Sequence, residues 1–190
     1  MNKWKFFFFA LLFILLIGIG WLFWYIQQPS ESTNSIQPSE NVKGYTFQVS
    51  TTKQDLEGVA NSYLQQEFGD APLPITIKVN NQIQLQTELQ IFSISIPVLM
   101  NFSPEVSGNG DIILKQKSVE VGKLDIPPST VLKLMKDSID LPTWMNVQHE
   151  KEQIYVQMAN IPTSQNVEVR AKEIDLKENN LLFDIVFPTN

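Results

Sequence analysis

Residues Phe6–Ile26 read FFFFALLFILLIGIGWLFWYI, 21 consecutive positions without a charge. Coiled as a helix at about 1.5 Å per residue, the run measures roughly 30 Å, one hydrocarbon thickness. It divides the chain into a cytoplasmic N-terminus at 1–5, a transmembrane anchor at 6–26, a flexible linker at 27–44 and an extracytoplasmic domain at 45–190. Lys3, Lys5 and the α-amino group precede the run, and no Lys or Arg follows until Lys43. That asymmetry predicts a single pass through the cell membrane, with the N-terminus in the cytoplasm and the C-terminal domain extracellular. Trp21, Trp24 and Tyr25 cluster at the outer end, where amphipathic rings favour the headgroup layer, and Trp4 suits the inner end. The competing reading is a cleaved signal peptide, which needs a shorter apolar region and a small-x-small site after it. Here the run ends in bulky aromatics, and Ser30 with Ser32 makes only a weak pair, so a retained signal anchor is expected. Gly18 and Gly20 are two apart rather than four, so the helix-dimer motif is absent.

Beyond the anchor, Gln27–Asn41 is rich in Ser, Gln, Glu, Asn and Pro, with Ile36 its one aliphatic residue. Such a segment buries too little to offset its ordering entropy, which predicts a disordered tether. The remaining length, about 160 residues outside the anchor, suits one ordinary domain. With no cysteine in the chain, disulfides, thiol nucleophiles, thiolate metal sites and a lipidated N-terminal cysteine are all excluded. Of the 14 basic residues, 12 lie beyond the anchor against 20 acidic ones. An acidic domain repels phosphate backbones, so no nucleic acid partner is expected, nor a polybasic grip on anionic lipid.

The domain reads as α+β, a curved and mainly antiparallel β-sheet of six to eight strands packed on two helices. In Thr51–Phe68, Leu56, Val59, Ala60, Tyr63, Leu64 and Phe68 recur at helical spacing, predicting an amphipathic helix with that stripe in the core. Thr51 with Gln54 resembles a capping box, and Gly69 is a natural stop. Ile75, Ile77 and Val79 alternate with polar residues, Asn80–Asn81 suits a tight turn, and Ile83, Leu85, Leu89 and Ile91 alternate again. At Ile91–Phe92 the phase changes, which calls for a turn or a bulge. A further strand is expected to begin at Ile112 and Leu114 and to continue at Val119 and Val121 after a turn near Lys117; others are expected around Met145–Val147, Ile154–Met158, Val167–Leu176 with a bulge, and Leu181–Phe187. Pro127–Pro128 opens a second helix whose buried stripe is expected at Val131, Leu134, Met135 and Ile139. Short connections favour up-and-down pairing.

Motifs for chemistry are missing. His149 is the sole histidine, and position 153, where a metalloprotease helix needs a second one, is Gln. A solvated turn histidine is the plainer reading. No Gly-x-Ser-x-Gly elbow and no glycine-rich phosphate loop occurs. Asp111, Asp125, Asp137, Asp140 and Asp175 fall mostly in polar strand phases or on exposed helix faces, and nothing singles out a pair. No catalytic residue, metal or cofactor is therefore expected. The informative feature is the apolar ladder Phe92, Ile94, Ile96, Val98, Met100 and Phe102. If the sheet curls around its helices, Phe92, Ile94, Ile96, Met100 and Phe102 line a groove for acyl chains, each buried methylene contributing about 0.8 kcal/mol. Alternatively, the helices fill the sheet.

Three segments carry a family resemblance: Gly110-Asp-Ile-Ile-Leu114, Gly122-Lys-Leu-Asp-Ile-Pro-Pro128 and Leu141-Pro-Thr-Trp144, in that order behind an N-terminal anchor. Together they resemble the YpmS-like proteins of Gram-positive Firmicutes, over essentially the whole chain. The resemblance implies placement at the cell envelope rather than a particular reaction. More loosely, the order of helix, curved hairpins, Pro-started helix and further strands is similar to tubular lipid-binding (TULIP-like) domains, a likeness of fold alone. The leading expectation is a non-enzymatic module that binds a lipid or lipid-linked envelope precursor in its apolar groove. The alternative is an interaction scaffold for a cell-envelope enzyme, with an envelope protein as partner and a filled core. An envelope hydrolase using an Asp or His149 comes third.

Overall fold

The computed structural model describes residue 17 and the spans 44–68, 75–91, 94–138, 141–163 and 167–189. The rest of the expected anchor at 6–26 and the expected linker up to residue 43 lie outside the described residues. Among the described residues no helix is long and apolar enough to cross a membrane. The elements are β1 (Gly44–Thr51), α1 (Lys53–Phe68), β2 (Thr76–Val79), β3 (Ile83–Ile91), β4 (Ile94–Val106), β5 (Ile112–Val121), α2 (Pro128–Ser138), β6 (Met145–Gln148), β7 (Gln153–Val156), β8 (Glu168–Asp175) and β9 (Asn180–Pro188). The class is α+β: among the described residues α1 and α2 accompany strands that pair antiparallel, and in place of one sheet these strands form two, ordered β2-β3-β4-β5-β7-β6 and β1-β9-β8.

Hairpins built by alternation make most of the larger sheet. Ile77 faces Leu85 and Val79 faces Ile83 across β2 and β3. Ile91 faces Ile94, so the phase change read at Ile91–Phe92 is a turn between β3 and β4. Between β4 and β5 the register slips once, from Asn101↔Ser118 to Phe102↔Gln116. The extra residue, Lys117, points to solvent, and Gln116 is returned to the face that carries Phe102. Up-and-down pairing stops at β5. Helix α2 carries the chain over to the sheet edge, so β6 runs in the same direction as β5. A gap of one strand remains between them, and β7 fills it antiparallel to both.

The inner face of this sheet is the core. Val79, Val98, Met100, Phe102, Val121, Val147 and Ile154 are buried there, with Val131 and Leu132 of α2. The α2 stripe differs from expectation: Leu132 is fully buried, Leu134 is exposed, and Ile139 lies outside the described residues. A short helix tucked beneath the 3₁₀ turn His149–Lys151 and β6 buries positions 131, 132 and 135, a narrower face than periodicity alone assigns.

Helix α1 seals the sheet's first edge with polar side chains. The Asn61 amide accepts from Ile77 N–H (2.8 Å) and donates to Ile77 O (2.7 Å), while a Glu57 carboxylate oxygen accepts from Val79 N–H (2.7 Å). Asn61 thus stands in for a neighbouring strand along β2 and satisfies an edge that would otherwise invite pairing. This posture leaves the apolar stripe only half-buried at Leu56, Ala60, Tyr63 and Leu64, and Val59 is 69 % exposed, contrary to its expected core position. The cap also sits one residue later than expected. Thr51 is held in β1 opposite Leu181, so Thr52 caps instead, its hydroxyl oxygen accepting from Asp55 N–H (3.2 Å). Tyr63 meets Trp144 edge to face at 5.5 Å. Trp144 directly precedes β6 and α1 is bonded to β2, so α1 bridges the sheet from its first edge toward its last.

The smaller sheet joins the first and last strands of the described body, Gly44 opposite Pro188 through Thr51 opposite Leu181. The expected bulge in β8 falls between Ala171 and Glu173. Gly110 links the two sheets: its carbonyl accepts from Ala171 N–H (2.8 Å), its φ is +85°, and a Cβ there would stand 2.7 Å from the Arg170 Cβ. Only glycine meets both conditions.

Candidate functional site

The ladder expected to line a groove has two unlike halves. Met100 and Phe102 are each 1 % exposed, in the densest part of the core. Ile96 is half-buried at the core margin, with Gly122 so near that a Cβ there would lie 3.1 Å from Ile96 Cγ2. Ile94 continues β4 opposite Ile91, but its side chain is not among the described ones; Phe92 lies outside the described residues. The structure thus brings Ile96, Met100 and Phe102 onto one face of one strand.

Beside the Ile96 end opens a cleft of ≈ 470 Å³. Its lining includes Thr87, Glu88, Pro97, Leu99, Glu120 and Gly122, and none of Ile96, Met100 or Phe102. Glu88 and Glu120 alternate with Thr87 and Val121 along their strands, so their carboxylates belong to the sheet face opposite the ladder. The lining of this cleft is mixed: Glu88 and Glu120 stand beside Pro97, Leu99 and the ladder residue Val98.

Two polar groups point into the interior without a protein partner: the Thr87 hydroxyl, and the Gln116 carboxamide at both its nitrogen and its oxygen. Thr87 pairs with Val98, and Gln116 pairs with Phe102 across the slipped register. A buried amide without partners costs on the order of 1–3 kcal/mol. The sequence offers one clue to Gln116, a polar residue standing two positions after Leu114 where alternation calls for an apolar one.

A second cluster was not legible at all. Asp111 is almost fully buried, against the expectation that it lies in a polar phase. One carboxylate oxygen accepts from Tyr155 OH (2.7 Å) and Asn109 Nδ2 (2.6 Å), and the other accepts from Met158 N–H (2.9 Å). Ser107 Oγ donates to Asn109 Oδ1. Burial, and then the hydrogen bond to Asp111, push the Tyr155 phenol above its ordinary value. Each Asp111 oxygen has a donor, so the cluster knits the β4–β5 loop to β7 and to the 3₁₀ turn Met158–Asn160. Its chemistry is that of a satisfied structural network. His149 stands in the other 3₁₀ turn, and no group of three or more potential metal ligands occurs among the described residues.

Comparison with known proteins matches at the scale of the whole chain. A family of uncharacterised proteins conserved in bacteria (DUF2140) matches residues 2–187, and the chain belongs to that family. The uncharacterised protein YpmS of Bacillus subtilis (strain 168) is 32 % identical over 191 residues, covering 99 % of both chains. No solved structure matches significantly.

Proposed function

We propose that the chain is a membrane-anchored extracytoplasmic module that carries no reaction of its own and takes the acyl chain of a lipid or lipid-linked envelope precursor along the inner face of its larger sheet. The observation that supports this most is the way α1 spans the larger sheet: bonded to β2 and touching Trp144 just before β6, it lies across an apolar face whose Ile96 end is only half-buried. An acyl chain entering there extends the ladder past Met100 and gains about 0.8 kcal/mol per buried methylene. The helix along the first sheet edge, α1, is held by a few side-chain hydrogen bonds and a half-buried stripe, so it opens at lower cost than the core. The unpartnered Thr87 hydroxyl and Gln116 amide give the interior polar points against which a carbonyl or hydroxyl of the ligand sets its depth.

The tight burial of Met100 and Phe102 favours the second reading, a scaffold for an envelope enzyme with a filled core. Lipid extracted from the purified full chain and quantified by mass spectrometry separates the two. Stoichiometric lipid in the parent chain that is lost in Ile96→Trp supports the groove. Equal lipid in both, with a specific protein partner retained by Ile96→Trp, supports the scaffold.

A further inference from the structure

The smaller sheet ends in bare aromatic side chains. Tyr45, Phe47 and Val49 share one face of β1, and β9 sets Phe187 opposite Tyr45. Tyr45 is 73 % and Phe47 60 % exposed, and Val49 and Phe187 are open as well. The Phe47 and Phe187 rings meet edge to face at 5.6 Å. Farther along the same face, opposite Val49 and Thr51, Phe183 and Leu181 are buried. The exposed group is therefore the uncovered end of a core face rather than scattered surface residues. Strand β1 carries no charge and no proline, and its outer edge has no strand partner among the described residues. Edges that must stay in water normally carry such residues, and a contiguous apolar patch marks a contact surface.

The position of β1 in the chain selects the occupant. Gly44 begins the strand, and residues 27–43 before it lead straight back to the uncharged run 6–26. The flexible tether that its composition predicts would, at that length, have an end-to-end distance of roughly 20–25 Å. A chain anchored by that run holds β1 within this distance of the headgroup layer. Tyrosine and phenylalanine suit that layer, and the net negative charge of the remaining domain keeps its other faces from competing for anionic lipid.

We infer that Tyr45, Phe47, Val49 and Phe187 seat in the lipid–water interface of the bilayer that the apolar run enters. The inference rests on the anchor reading above and adds a second, shallow attachment that fixes which face of the body meets the membrane.

The absence of native cysteine makes a direct test simple. Val49→Cys and Gln48→Cys place a nitroxide on opposite faces of the same strand; Gln48 lies on the side where it accepts from Lys172. Each full-length variant is reconstituted in phosphatidylethanolamine–phosphatidylglycerol vesicles. Relaxation by oxygen, which partitions into lipid, is compared with relaxation by a water-soluble nickel chelate. The oxygen-to-nickel ratio is expected to be several-fold higher at 49 than at 48, and adding Tyr45→Ser with Phe47→Ser should lower it to the value at 48. Equal ratios at 48 and 49 overturn the inference. So does a label at 49 shielded from both agents, because a second copy or another protein then covers the patch. Flotation of the same vesicles separates the two layers of the argument. A chain that fails to float overturns the anchor reading and the inference with it, whereas a floating chain with equal ratios overturns the inference alone.

Discussion

The two sheets treat their edges and faces in opposite ways. The six-stranded sheet hides both: Asn61 and Glu57 occupy the bonding groups of β2, and Met100 and Phe102 close the inner face. The three-stranded sheet leaves both open at one end, where β1 offers an uncharged edge and Tyr45 and Phe47 stand in solvent. The same pattern of alternating apolar residues wrote both faces. What separates them is how far another element reaches across: α1 and α2 lie along the larger sheet, whereas α1 meets the smaller one through Lys53 at the β8–β9 turn, away from Tyr45 and Phe47. The first region is closed to solvent and the second is open to it.

Substitutions sharpen this contrast in graded steps, each read as guanidinium unfolding of the full chain in nanodiscs. Phe102→Ala should have the largest effect, about 3–5 kcal/mol of lost stability, because the ring is enclosed on all sides. Asp111→Ala should cost about 3 kcal/mol, since Tyr155, Asn109 and Met158 each lose an acceptor. A pH dependence accompanies that network. Tyr155 is raised above an ordinary value near 10, so its contribution is whole below pH 10 and is lost as pH rises through the raised value. Tyr155→Phe should remove that alkaline loss. Asn61→Ala should cost about 1–2 kcal/mol and speed hydrogen exchange at the Ile77 amide ahead of the core. Tyr45→Ser with Phe47→Ser should change stability by no more than about 0.5 kcal/mol. A loss as large as that of Phe102→Ala would mean that the patch is core after all and would erase the contrast.

Local patterns were readable and distant partnerships were not. Alternation marked β2, β3 and β4, the phase change at Ile91 marked a turn, and the shift after Ala171 marked a bulge, because each is a property of neighbouring residues. The pairing of β1 with β9 joins the two ends of the described body, and no local signal encodes it. Nor does one encode the insertion of β7, which follows from where the α2 crossover sets down β6. Asp111 looked solvated because its partners, Tyr155 and Met158, are more than forty residues away. Val59 was placed in the core by its spacing, but α1 turns its polar residues toward the edge of β2 and so rotates Val59 outward. In the ladder the apolar character of Ile96, Met100 and Phe102 was legible. Their unequal burial depends on how far β5 and α2 extend over them, which the ladder's own sequence does not contain.

The account turns on whether an acyl chain lies along the inner face of the larger sheet, and photocrosslinking measures that directly. A phospholipid with a diazirine near the end of its acyl chain is mixed into vesicles with the full chain, irradiated, and the adducts are mapped by peptide mass spectrometry. Adducts on the β4 segment around Ile96–Met100 and on the facing side of α1, reduced in Ile96→Trp, are the predicted result. Adducts confined to residues 6–26 and to the Tyr45–Phe47 segment would contradict it, leaving a body that touches the membrane but holds no lipid.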